Sequence, residues 1–223
     1  YPGDPSVPAG LIPANKKAFA PRLGIAWDPD GRGNLLVTAA YGMFYEPYYT
    51  GQGGPLQAPL SAPPFLGTPQ VSLPDFADPF NGHPPAAGTF STPLTNLTLS
   101  PTLTLPYTQD WNLNLHRSFG TDWLFEIGYV GTKGTHLPRM IEANPAVFVP
   151  GTVNGQPISN SSNADQRRLY SGCTLDDAPS SCQFSSTGEI AGIANSSYNA
   201  LETSMRKRFS HGLSFLVSYT WSK

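Results

Sequence analysis

The chain has 223 residues, 13% of them charged, with 13 Lys+Arg against 15 Asp+Glu and a formal net charge of -2. That length allows one or two ordinary domains, and so sparse and balanced a charge excludes the basic face by which a protein attracts nucleic acid. No apolar run approaches the roughly 20 residues of a membrane helix, which excludes helical spans but leaves open a membrane barrel, whose strands are never uniformly apolar.

Residues 1–20 are rich in Pro and Gly and read as a loop. A first strand is predicted at about 21–28, with Leu23, Ile25 and Trp27 alternating against Arg22, Gly24 and Ala26. The Asp28-Pro-Asp-Gly-Arg-Gly-Asn34 stretch is dense turn chemistry. A second strand at about 35–46 carries Leu35, Val37, Ala39, Tyr41, Met43 and Tyr45 on one face. Residues 47–106 hold 13 prolines and neither Lys nor Arg. Proline has no N–H for a sheet ladder, so central strands are excluded there and a long loop is expected. Its aromatic side chains (Tyr48, Tyr49, Phe65, Phe76, Phe80 and Phe90) are candidates to cover or capture a ligand.

The second hairpin is predicted at about 107–119 and 123–131, turning at Gly120-Thr121-Asp122. Trp111, Leu113, Leu115 and Phe119 alternate with Asn112, Asn114 and His116, and Trp123, Phe125, Ile127 and Tyr129 alternate with Leu124, Glu126 and Gly128. A second long loop is expected over about 132–196, and a third hairpin at about 197–209 and 213–222. In its last arm Leu213, Phe215, Val217, Tyr219 and Trp221 share one face, while Ser214, Ser218, Thr220 and Ser222 share the other. The chain begins on Tyr1 without a secretory leader and stops at Lys223 directly after this arm, so it is expected to be a piece of a longer protein.

Short turns thus alternate with very long loops, as in outer-membrane barrels, where short turns are periplasmic and long loops extracellular. The fold expected is all-β: antiparallel up-and-down strands forming part of a transmembrane β-barrel, with three hairpins and two long extracellular loops. Six strands are too few to close such a barrel, for which about eight is the minimum. The aromatic residues fall into two belts suited to headgroup layers: Trp27, Phe119, Trp123 and Phe209 beside the short turns, and Tyr45, Trp111, Tyr129, Tyr198 and Trp221 toward the long loops, with Tyr219 next to the last. Arg117 and Lys207 interrupt the apolar rows near short turns, where their stems can snorkel.

The opposite face carries the candidate ligand-contacting set of Asn112, Asn114, His116, Glu126, Glu202, Arg206 and Arg208, read as a hydrated wall with cross-strand ion pairs. Cys173 and Cys182 bracket eight residues of a polar loop and are expected to form a disulfide in an oxidising compartment. No catalytic site, metal site or cofactor is expected. Ser204-Met-Arg-Lys207 has the Ser-x-x-Lys spacing of penicillin-recognising enzymes, but on a strand the two side chains face opposite ways. The Asp28–Asn34 turn lacks the downstream bidentate carboxylate of a calcium loop.

With these residues in hand, several segments resemble the barrel region of TonB-dependent outer-membrane receptors, particularly the Oar-like type abundant in Acidobacteria. The similar stretches are Phe19–Pro29, Ala40–Tyr45, Leu105–Asn114, Glu126–Leu137, Ser197–Leu201, Arg206–Leu213 and Ser218–Lys223, about half the chain, with scattered pieces of loop such as Asn144-Pro-Ala146. The resemblance implies a barrel of about 22 strands, occluded by a plug and energised by the TonB complex through parts that this chain does not contain. Partners would be outer-membrane lipid, TonB through those parts, and a solute that the sequence does not name; the location implied is the outer membrane of a Gram-negative bacterium. Two other readings stand beside it: a structural or adhesive surface protein that displays its loops, and a soluble β-sandwich binding module whose apolar rows would be buried against a second sheet.

Overall fold

The computed structural model describes residues 16–47, 77–78, 82 and 92–223. The loop aromatics named above, from Tyr48 to Phe90, lie outside the described residues. Nine strands are described in chain order: β1 (Arg22–Trp27), β2 (Leu35–Tyr45), β3 (Leu94–Leu99), β4 (Tyr107–Phe119), β5 (Trp123–Glu142), β6 (Thr152–Val153), β7 (Gln156–Pro157), β8 (Phe184–Ser210) and β9 (Leu213–Ser222). Helical structure among the described residues is limited to three 3₁₀ turns, at Ser161–Asn163, Asp165–Arg167 and Pro179–Ser181. The chain divides into two compact units.

One unit (Ala14–Pro47, Thr104–Pro138 and Gly192–Lys223) is a wall of strands in the order β1-β2-β4-β5-β8-β9. The pairs β1–β2, β2–β4, β4–β5 and β8–β9 are antiparallel. β5 and β8 are neighbours as well, bonded at one end from the Arg208 N–H to the Asp122 carbonyl and further along from the Tyr129 hydroxyl to Asn199 Oδ1. The turns follow the local chemistry. The Asp28 carboxylate accepts the N–H groups of Gly31 and Gly33 at 3.0 and 2.9 Å, and Asp30 accepts that of Arg32 at 3.1 Å. Gly31 and Gly33 have φ of 63° and 72°, the region glycine adopts without penalty.

Register decides which side chains share a face, because a slip of one residue would reverse every side chain of a strand. Here it aligns Trp27 with Val37, Val37 with Leu115 and Leu115 with Ile127; one row along, Ile25, Ala39, Leu113 and Tyr129 line up in the same way. On the last pair, Leu201 faces Trp221 and Met205 faces Val217. These apolar rows are exposed, with Leu23 and Ile25 at 71% and 69%. Leu113, Ile127, Leu213, Val217 and Trp221 are exposed too, and the buried described residues of this unit are glycines, Pro106 and Ala200, none with a large apolar side chain. Each large apolar side chain left in water forfeits about 1.5–3 kcal/mol. Roughly six of them would therefore match the whole stability of an ordinary domain, about 5–15 kcal/mol. The medium on this face is not water. Nor is it a second protein layer among the described residues, as the soluble-sandwich reading requires. Among the described residues β1 and β9 each keep one unpaired edge, so the wall is open.

The other unit (Tyr1–Pro13, Tyr48–Leu103 and Arg139–Ala191) contains β3, the last residues of β5, the first of β8, and the segment between them. It buries Leu103, Cys182, Ile190 and Ala191. β3 runs parallel to β8, from Leu94 opposite Phe184 to Leu99 opposite Ile190. Leu97 and the Met140 thioether close over Gly188, where a Cβ would stand 2.7 Å from Leu97 Cδ1 and 3.0 Å from Met140 Sδ.

The strand limits differ from the expectation in three places. β5 runs on to Glu142 instead of ending near 131, β8 begins at Phe184 instead of near 197, and β3 lies inside the segment read as a loop over 47–106. Residues 132–142 mix charged and polar residues with a Pro among their few apolar ones, and 184–196 are dominated by Thr, Ser, Gly and Ala, so no face of them is continuously apolar and the period-2 signal fades. β3 follows a Pro-dense stretch and pairs with residues distant in sequence, which no local pattern announces.

Near mid-height of the wall, Ile127→Arg should cost about 2–4 kcal/mol of folding into lipid vesicles, whereas Asn112→Arg on the other face should cost far less. The shift between folded and unfolded bands on unheated gels across a urea series measures both.

Candidate functional site

The face opposite the apolar rows carries a hydrogen-bonded polar ladder. β4 sets Asn112, Asn114 and His116 at successive same-face positions, paired across to Val130, Gly128 and Glu126 of β5, while Thr38 of β2 stands opposite Asn114. Asn114 Nδ2 donates to Asn112 Oδ1 at 3.2 Å and to Thr38 Oγ1 at 3.5 Å. Its amide lies over Gly128, in space that a Cβ would fill. Glu126 divides its carboxylate: Oε1 is 3.1 Å from His116 Nδ1, and Oε2 accepts from Ser204 Oγ of β8 at 2.6 Å. One level toward the long loops, Thr132 Oγ1 donates to Asp110 Oδ1 at 2.8 Å.

Of the candidate set, the structure brings together Asn112 with Asn114, and His116 with Glu126. Glu202 lies opposite Thr220, and Arg206 opposite Leu216. Arg208 stands by the short turn, its N–H on Asp122. Among the described residues no ion pair joins Glu202 to Arg206 or Arg208. Thr38, Asp110, Thr132 and Ser204 belong to the ladder although none was in the candidate set; Asp110 is detectable by parity, two positions before Asn112. A carboxylate stands between Ser204 and His116, so the imidazole is not placed to take the hydroxyl proton as in a nucleophile–base pair. Ser204 and Lys207 face opposite sides, the first toward Glu126 and the second toward the Ser210 and Leu213 carbonyls.

The outward face has a defined height. Trp123 packs edge-on against Phe215 at 5.7 Å beside the short turns. Lys207 Nζ, over the Trp123 ring at 5.8 Å, turns back to the carbonyls of Ser210 and Leu213 at 3.0 and 3.1 Å. Toward the other end, the Trp111 indole lies across Gly131, where there is no Cβ to obstruct it, and the Tyr41 hydroxyl donates to Gln109 Oε1 at 2.9 Å. Beyond that level Gln109 faces Lys133, followed by Tyr107 with its ring 5.5 Å from Tyr45. From Trp123 to Gly131 the strand rises about 26 Å, or about 20 Å along the membrane normal at a tilt near 40°, close to the apolar band of an outer-membrane barrel, about 25 Å. Tyr129 hydrogen-bonds Asn199 near the upper limit, and Trp27, Tyr219 and Trp221 are exposed on the same face.

A face of apolar rows of that height, rimmed by aromatics and backed by a polar ladder, is the cross-section of a membrane barrel wall, and comparison with known proteins agrees. The family model of the outer membrane beta barrel domain matches residues 1–223. The chain belongs to that family. Solved structures similar to this barrel domain include the outer membrane transporter YddB from Escherichia coli, at 13% identity and a TM-score of 0.48 over 92% of this chain and 20% of that one. Another is a double mutant of the Serratia marcescens hemophore receptor HasR in complex with its hemophore HasA and heme, at 13% identity and a TM-score of 0.37 over 85% and 20%. The barrel domain thus spans about a fifth of the length of each of these chains. No curated protein matches it. It is an outer-membrane protein.

The segment between β5 and β8, read from sequence as a polar loop, forms a cross-linked polar unit, the cap. Its hub is Arg168, which donates from Nε to Asp165 Oδ1 at 2.8 Å and from Nη1 to the Asn144 carbonyl at 2.7 Å, with Glu142 Oε2 3.4 Å from Nη1. The Asn144 side chain, 1% exposed, donates to the Ser185 carbonyl and accepts the Tyr170 N–H, both at 2.8 Å. Arg167 ties Asn163, Val147 and Asn160 at 2.9, 2.6 and 2.9 Å. Cys173 and Cys182 are joined as a disulfide, and the Gln183 N–H donates to the Ser171 carbonyl beside it. Burial pushes the Glu142 and Asp165 carboxyls up, and hydrogen bonds more than offset it. Ser186 and the Thr187 and Asn144 N–H groups act on Glu142, and Arg168 and Ser185 on Asp165, so both sit below the usual carboxylate range.

Removing the hub by Arg168→Ala should destabilise the cap by about 2 kcal/mol or more, given that charge-assisted hydrogen bonds contribute about 1.5–3 kcal/mol each. Hydrogen exchange should accelerate over 142–187 while β4 and the first half of β5 stay protected.

Because both carboxyls are depressed, their contribution is complete above the unfolded-state values near pH 4 and is lost as pH falls through the lower folded-state values. Exchange protection of the cap should therefore hold from pH 7 down to about pH 4 and decline below it.

Proposed function

We propose that this barrel domain is part of the wall of a TonB-dependent, Oar-like receptor, and that its polar ladder lines the passage of a bulky solute across the outer membrane. The observation that carries this reading is the ladder itself. Asn112 with Asn114, and His116 with Glu126 and Ser204, form two adjoining hydrogen-bonded groups on the face turned away from the apolar rows. Such groups suit a hydrated interior that touches a plug and a passing polar solute, and they suit a lipid-facing or dry interior poorly. Glu202, Arg206 and Arg208 extend the same wall toward β9 and the short turn. TonB engages through parts of the protein outside this chain.

A display role for the same wall draws its support from the cap, where Phe148, Leu169 and Tyr170 are exposed on a hydrogen-bonded frame. One experiment separates the two. In cells carrying the complete protein, photo-crosslinking at its N-terminal segment should capture TonB, and deleting TonB should abolish the capture. Absence of any TonB adduct from a protein that is folded in the outer membrane favours display.

A further inference from the structure

The two cations that interrupt the outward apolar rows near the short turns, Arg117 and Lys207, differ in how far their charge is already committed. The Lys207 ammonium has three donors and three acceptors: the Ser210 carbonyl at 3.0 Å, Ser210 Oγ at 2.8 Å and the Leu213 carbonyl at 3.1 Å. Arg117 has five donors, and no side-chain hydrogen bond among the described residues uses its guanidinium. Its one ion pair, to Asp30 Oδ2, is 3.8 Å long, with the side chain 40% exposed. The other Asp30 oxygen is occupied by the Arg32 N–H. The guanidinium plane packs 5.6 Å from the Phe119 ring centre, which orients it without neutralising it.

Beside this cation lies an open groove of about 260 Å³ lined by Leu115, Arg117, Phe119, Phe125, Glu126 and Ile127, the Glu126 carboxylate being engaged by His116 and Ser204 on the opposite face. Phe119 pairs with Trp123 on the short-turn side of the cation, Arg117 with Phe125, and Leu115 with Ile127 on the other side, so the groove follows β4 and β5 past the cation toward mid-band. Ile127 stands about 10 Å above the Trp123 level along the membrane normal. The groove therefore occupies the half of the apolar band nearest the short turns, the periplasmic leaflet. An apolar groove in one leaflet, set beside an under-used guanidinium near headgroup height, has the charge order that a segment of acyl chain below a phosphate requires. A guanidinium fork matches phosphate oxygens in pairs.

We infer that Arg117 and this groove form a binding site for an anionic phospholipid of the periplasmic leaflet, phosphate on the guanidinium and one acyl chain between Leu115, Phe125 and Ile127. The inference rests on the barrel reading of the wall and goes beyond it, since that reading asks only for unspecific hydrocarbon. The charge complementarity is one-sided: Asp30 is the sole carboxylate paired with Arg117 among the described residues, at the far limit of an ion pair.

The test uses the complete protein, purified in detergent and mixed with phosphatidylglycerol, with phosphatidylcholine of the same acyl chains, or with inorganic phosphate, and read by native mass spectrometry. The wild-type protein should retain phosphatidylglycerol in preference to both others. R117Q should lower that retention about fivefold, as expected for one cation near a membrane surface, while R117K, which keeps the charge but not the fork, should fall between the wild-type protein and R117Q and K207Q should leave it unchanged. Gel mobility before and after heating reports whether each variant is folded. Equal retention of phosphatidylcholine by the wild-type protein overturns the inference even if R117Q fails to fold, and so does equal phosphatidylglycerol retention by folded R117Q. A protein that stays in buffer without detergent would instead overturn the barrel reading.

Discussion

In hydrocarbon a strand has no water to satisfy its N–H and C=O groups, so each must be paired with its neighbour while every outward side chain stays apolar. Everything described here depends on both conditions being met together in one register. Across β1, β2, β4 and β5 the pairing is unbroken, and the same register that closes the backbone ladder gathers Trp27, Val37, Leu115 and Ile127 into one row. A one-residue slip anywhere would place Asn114 or Glu126 in lipid. The polar ladder is thus the other face of the same constraint. Freed from contact with acyl chains, those positions can hold side chains that bond one another.

The wall was legible in sequence because lipid imposes a period of two on it. Leu213 to Ser222 shows that period plainly, and the Asp28–Asn34 turn shows why the chain reverses there. Where strands leave the apolar band, the constraint on the outward face lapses and so does the signal. Thr132 to Glu142 and Phe184 to Ser196 are strand by hydrogen bonding, yet their small and polar residues read as loop. β3 was invisible for a different reason: its stability derives from a parallel pairing with β8 and from Leu97 seated on Gly188, neither of which leaves a local trace.

The candidate site was legible in its membership more than in its bonds. Strand parity is enough to place Asn112, Asn114, His116 and Glu126 on one face. That Glu126 engages His116 and Ser204, and not a partner nearer in sequence, depends on the β4–β5 register and on β8 lying beside β5. The cap is the extreme case. Arg168 and Asn144 are ordinary polar residues of a loop until folding sets them among partners as far apart as Glu142 and Ser185. Two arginines side by side in a cation-poor segment are the trace they leave in the sequence.

The central claim is that adjacent residues of one strand meet different media. Single nitroxide labels on cysteines introduced at Leu113, Leu115, Ile127 and Tyr129, and at Asn112, Asn114, Glu126 and Gly128, test it in the complete protein reconstituted in lipid vesicles. Cys173 and Cys182 are paired and stay unlabelled. The first group should be relaxed by oxygen dissolved in the bilayer, and the second by a water-soluble nickel chelate or by neither reagent where packing shields it, in strict alternation along each strand. Oxygen inaccessibility at the first group, or chelate access that does not alternate, would contradict the account.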